Sequence, residues 1–183
     1  LARAGDGNRA RRAILHRMGQ LGTALSDGLK MTIGYADALV KTIPDARFAE
    51  MPKDDLNSPA FLIGHLAIYA PKVAEMMGHK GACSVPASWE ELFKNGAKCV
   101  STPGAYPPKA ELVKAFTDGW TTVANLLPKV DDSVFNGPNP YEGLRDRLPN
   151  LAGVASFMCL AHNMMHLGQI SAWRRVAGLG SAM

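Results

Sequence analysis

Histidines are the residues of this chain best placed to do chemistry, and there are five: His16, His65, His79, His162 and His166. His162 and His166 are four residues apart. On a helix that spacing separates two side chains by about 40° in azimuth and about 6 Å along the axis, close enough for two imidazoles to converge on one metal ion. They fall in a run of apolar spacing, Leu151, Ala155, Met158, His162, His166, Gln169 and Trp173, which steps by three and four. That stripe is expected to face the interior, where imidazoles need partners. The bland alternative is a hydrogen-bonded core histidine, which suits one ring better than a pair. Asn163-Met164-Met165 lacks the Glu that follows the first His of zinc proteases, so that reading fails.

A third nitrogen is available on another segment. Leu62, His65, Tyr69, Lys72 and Met76 form a second stripe of threes and fours. Alone, His65 reads as a satisfied core residue; beside a two-His face of the same bundle, it reads as a ligand. Three neutral nitrogens leave a coordination position open, as in catalytic rather than structural sites. Tyr69 and Gln169, each about one turn from a histidine, are candidates for orienting an imidazole or a bound water. Lys72 either faces substrate or snorkels at the surface, and the surface reading is the simpler. His79 follows Gly78 at a helix end, and His16 lies among basic residues near solvent. Cys159 reads as a small buried apolar residue.

Four long helical segments must position these groups. The first is expected from about 8 to 43, with Ile14, Met18, Leu21, Leu25, Leu29, Ile33 and Ala36 as its buried line. The second starts at Asn57-Ser58-Pro59, a capping signal followed by Pro in the first turn, and stops at Gly78. Pro71 should kink it. The third runs from about 107–108 to 127, and the fourth from about 150 to 177, before Gly178. Between the second and third, Ser88-Trp89-Glu90-Glu91-Leu92-Phe93 is a short helical turn. No alternating strand pattern and no repeat is present. The long loops at 79–107 and 128–149 argue against a bundle of tight hairpins, since such long connections cross over or build a site. The organisation expected is a basic arm (1–17), one all-α four-helix domain (18–178) and a short tail (179–183).

Composition narrows the function. The chain has 183 residues, 47% hydrophobic and 20% charged, enough for one domain with a real core. No apolar stretch of about 18 residues lacks a charge or Pro, so no membrane partner is expected. The formal charge of +4 resides in the arm, which holds five Arg against Asp6 and leaves 15 basic and 15 acidic groups elsewhere. A balanced body argues against a nucleic-acid partner. Three widely spaced cysteines, Cys83, Cys99 and Cys159, form no framework, and the arm has no apolar core of a secretory signal. A reducing, cytoplasmic setting follows as the expectation. There is no G-x-S-x-G, P-loop or G-x-G-x-x-G motif.

Asn57-Ser58-Pro59 with Gly64-His65-Leu66 resembles the second helix of the DinB/YfiT-like superfamily. His162-Asn-Met-Met-His166-Leu-Gly-Gln-Ile, followed by Arg174-Arg175 and Gly178, resembles its last helix, and Trp89-Glu90-Glu91-Leu92-Phe93 before Gly96 is also similar. The resemblance spans residues from about 20 to 178. Phe61 departs from it, since many members have Trp there, which bears on packing and not on ligation. The resemblance implies a four-helix bundle with long crossover connections, often dimeric, holding a divalent metal, zinc or nickel, on His65, His162 and His166. It further implies an enzyme that transfers a low-molecular-weight thiol to an electrophile, the thiol being held as thiolate at the open metal position. A metal-dependent hydrolase and a non-catalytic metal- or ligand-binding bundle of stress response are the alternatives. The first is weakened because no carboxylate stands at helical spacing from the three histidines. The expected partner is a small-molecule substrate.

Overall fold

The computed structural model describes residues 19–182. The basic arm, His16 and the upstream part of the first expected helix lie outside the described residues. Helix α1 is Gln20–Lys41, α2 Pro59–Ala67, α3 Tyr69–Met76, α4 Trp89–Phe93, α5 Lys109–Leu126, α6 Leu151–Ser156 and α7 Asn163–Val176. Between α6 and α7, Phe157–His162 is a π-helical segment, and short 3-10 turns fill the loops. Among the described residues there is no strand, only an isolated antiparallel bridge between Pro138 and Asn150. Among the described residues, no helix is long and apolar enough to cross a membrane.

Local chemistry sets the ends. Ser58 accepts a hydrogen bond from the Phe61 amide (3.3 Å) ahead of Pro59, and Asn150 accepts one from the Gly153 amide (3.0 Å). Gly78, at φ 85°, closes α3, with the His79 amide donating to the Ala74 carbonyl at 2.9 Å. The second segment is divided at Ile68 rather than bent smoothly at Pro71. Pro71 has no N–H for the Ala67 carbonyl four residues back, and the helix gives way just after that carbonyl.

Helix α5 packs mainly on α1 and on α2–α3, while α7 packs on α1 and α2. The four long segments therefore run around the bundle in the order first, third, second, fourth. Consecutive segments lie diagonally at both the first and last connections, which is why those connections must be long. Trp120, Trp173, Phe93, Phe116 and Leu29 fill the centre. Each buried indole N–H has an acceptor, Trp120 on the Leu66 carbonyl (3.1 Å) and Trp173 on the Glu50 carbonyl (2.8 Å). Gly22 lets α1 cross the chain beyond α5: a Cβ there would stand 1.9 Å from the Leu127 carbonyl oxygen.

The fourth segment departs from the expected continuous α-helix. Up to His162 the buried positions follow the expected line, but afterwards they are Asn163, Leu167, Ile170, Trp173 and Arg174. A π turn takes one more residue than an α turn, so the core line moves on by one position. His166 is consequently half-buried and Gln169 is exposed, where the stripe placed both inside.

Candidate metal centre

Helix α2 carries His65, the end of the π segment carries His162, and α7 carries His166. His65 and His162 are buried, at 6% and 7% exposure. One nitrogen from each of the three rings lies within 4.8 Å of the others. The His65 and His162 Nε2 atoms are 3.2 Å apart.

The surroundings fix which nitrogens point inward. His65 Nδ1 donates to the Phe93 carbonyl oxygen at 2.6 Å, and His166 Nδ1 donates to Gln169 Oε1 at 2.8 Å. Each neutral ring then has its lone pair on Nε2. Burial, aided by the His166 and Lys72 charges, lowers the His65 pKa against the opposing Phe93 bond. Burial lowers that of His166 against the Gln169 bond. His162 is pushed down to about 3, by burial first and then by the neighbouring His166 and His65. All three are therefore neutral, ligand-competent imidazoles near pH 7.

His162 tests the fit of an ion. Its Nδ1 is buried and has no hydrogen-bond partner among the described residues. A proton on Nε2 would be donated to His65 and leave Nδ1 a bare buried acceptor. A proton on Nδ1 would leave a buried donor unmet and turn two lone pairs toward each other across 3.2 Å. Either arrangement strands a polar atom, at about 1–3 kcal/mol. Three neutral imidazole nitrogens within 4.8 Å of one another are a donor set that fits a divalent cation, and these three residues could hold one.

Glycine at position 64 permits this arrangement. A Cβ there would stand 2.3 Å from the Phe93 ring, so the bare backbone lets Phe93 lie against α2 and bring its carbonyl to His65. Phe61 stacks on His65, ring centroids 6.1 Å apart and planes 22° apart, and so forms a wall of the site. The Tyr69 ring meets both His65 and His162 edgewise at 5.0 Å. Its oxygen accepts from the Asn95 amide, and burial raises its pKa, so it keeps its proton. Lys72 does not line the cleft: its Nζ pairs with Glu90 Oε1 at 2.7 Å and sits 5.0 Å from the Tyr69 ring centre.

The imidazoles open into a cleft of about 440 Å³. Phe61, Phe157, Met158, Met165 and Leu144 form its apolar walls, and Asn57, Lys94 and Asn95 give it polarity. No carboxylate is among its lining residues. His79 stays at the end of α3, away from this cleft, and the Cys159 thiol is fully buried with its pKa pushed up to about 12 by desolvation. Spacing on one helix gave no sign of the parts that Phe93 and Asn95 play, because each acts through contacts distant in sequence. The Gly in Gly64-His65 was the one local hint.

The fold and site define an all-helical crossover bundle with three clustered imidazoles that could hold a metal ion. A sequence profile of the DinB superfamily matches residues 29–170, and the chain belongs to that superfamily. Comparison with curated proteins and with solved structures finds no match.

Proposed function

We propose that this protein is a metal-dependent enzyme that transfers a low-molecular-weight thiol to an electrophilic small molecule, with His65, His162 and His166 holding a zinc or nickel ion. The observation that carries the reading is the pairing of three neutral imidazoles with a cleft that has no lining carboxylate. A hydrolase activating water in such a site ordinarily uses a nearby general base, whereas a thiol needs only to be held as its anion. When bound, the ion supplies a Lewis acid that lowers the pKa of a thiol.

The chain's own residues have separable tasks in this reading. Phe93 and Gln169 hold His65 and His166 in the tautomer that presents Nε2. Phe61, Phe157 and Met158 exclude water and receive an apolar part of the substrate. Tyr69 accepts from the Asn95 amide and keeps its own O–H free to donate to an oxygen of the electrophile as charge develops there. Use of a free thiol favours a reducing compartment such as the cytoplasm, and the unpaired Cys83, Cys99 and Cys159 accord with it.

A second reading rests on the direct 3.2 Å contact between His65 and His162, which suits a site where imidazoles pair with each other and no ion is used. Two measurements separate the readings. Elemental analysis of protein purified without chelator should find about one equivalent of metal, lost in His166→Ala; equal content in both would remove His166 from the site. Metal-loaded protein is then incubated with a panel of thiols and a chromogenic electrophile. Thiol consumption no faster than in the chelated control would refute transfer.

A further inference from the structure

Asn163 is the first residue of α7, immediately after the π segment ends at His162, and is fully buried. Its carboxamide nitrogen donates to two main-chain carbonyls, Met158 at 2.9 Å and Cys159 at 3.2 Å. In a regular α-helix those carbonyls would be taken by the amides of His162 and Asn163. In a π turn the main-chain bonds reach one residue further, and the Asn163 carboxamide adds a side-chain donor that bridges these two carbonyls inside the dry core. It does so although its own Oδ1 has no partner among the described residues. A residue of modest helix preference, buried with a stranded oxygen, is a costly choice at a core position. Leu or Ala would pack there more simply if the helix were regular.

The turn stabilised in this way has a consequence for the site. It moves the buried line on by one residue, from His162 to Asn163 and Leu167, and leaves His166 at the border of core and cleft. In an unbroken α-helix, His166 and Gln169 would continue the buried line through Met158 and His162. His166 would be driven into the bundle instead of facing the cleft beside His65 and His162. We propose that Asn163 is a positioning residue: its side-chain amide holds the π turn, and the π turn sets the rotation of α7 that brings His166 to the cleft beside His65 and His162. This inference rests on the reading of the three histidines as a metal site.

The test uses the full chain in three forms: wild type, Asn163→Leu, which keeps the bulk and removes the donor, and Asn163→Asp, which replaces the donor by an acceptor. Ser26→Ala is the control. Ser26 is equally buried and donates to the Ala124 carbonyl at 2.7 Å between α1 and α5, remote from the histidines. Zinc affinity is measured by competition with a chromophoric chelator, and cobalt(II) spectra report the ligand geometry. Both Asn163 variants should bind zinc 10–100-fold more weakly than wild type, with an altered cobalt spectrum. Ser26→Ala should lose thermal stability and keep both metal readouts. In metal-free protein, the imidazole nitrogen signals of His162 and His166 should move in the Asn163 variants and not in Ser26→Ala. Wild-type zinc affinity and unmoved imidazole signals in folded Asn163→Leu would overturn the assignment. Wild type that takes up no zinc would defeat the metal reading instead, and the positioning role would then be decided by the imidazole signals alone.

Discussion

Replacing Gly64 by Ala should disturb both the core and the site, by an amount the contacts allow to be worked out. The added Cβ would stand 2.3, 2.4 and 2.6 Å from three atoms of the Phe93 ring. Carbon atoms rest at about 3.5–4.0 Å, so the ring or α2 must retreat by more than about 1 Å. Phe93 is fully buried, against Phe61 (ring centroids 6.2 Å), Tyr106 (5.4 Å) and Trp89 (5.6 Å), so the ring has no free direction. Overpacking of this kind costs about 1–3 kcal/mol, which for a chain of this size lowers Tm by roughly 2–12 °C. The displacement also withdraws the carbonyl that orients His65, whose hydrogen bond is 2.6 Å long. Metal affinity should therefore fall about tenfold or more. Thermal denaturation with chelator measures the first effect and chelator competition the second. Gly34→Ala is the internal comparison, since a Cβ there meets nothing within 4 Å and should be neutral or stabilising in α1. A Gly64→Ala protein as stable as wild type, with unchanged metal affinity, would refute the claim that glycine is required for this packing.

Other outcomes follow from the same contacts. In chelated protein, stability should fall as pH falls below about 6.5, because the unfolded His162 takes a proton there while the folded ring resists until about 3. At pH 5 that one ring accounts for about 2 kcal/mol relative to pH 7.5. Chemical denaturation at the two pH values should show the difference shrinking by that amount in His162→Gln, and parallel behaviour would contradict it. Arg174 is buried and donates to the Leu39 carbonyl (2.7 Å), Thr42 Oγ1 (3.0 Å) and the Leu179 carbonyl (3.4 Å). Arg174→Leu strands those acceptors and should cost about 2–4 kcal/mol by equilibrium unfolding, with zinc affinity unchanged. Gln169→Ala frees His166 Nδ1 at an exposed position, so it should weaken zinc binding several-fold and leave Tm within about 1–2 °C.

Most of the helical segments and their stops could be read along the chain, because they depend on residues a turn apart. The cap at Ser58, the stop at Gly78, the short helix at 89–93 and the three histidines were all legible from spacing and side-chain chemistry. Local spacing also placed His65 and His162 on buried faces. It erred where a helix leaves its ideal period. The stripe through Met158 and His162 continues to Gln169 only if every turn holds 3.6 residues, and the π segment breaks that assumption. The interruption of the second segment was legible from Pro71, though it falls at Ile68, just after the carbonyl that Pro71 leaves without its N–H. Lys72 faces Glu90 on α4, a pairing across 18 residues that no stripe on one helix reveals. Only the tertiary structure decided that the Phe93 carbonyl, carried by α4 over Gly64, would meet His65 and so fix which nitrogen it presents. Helix formation is governed by bonds four residues apart, whereas the direction of an imidazole lone pair is set by whichever distant group packing brings against its other nitrogen.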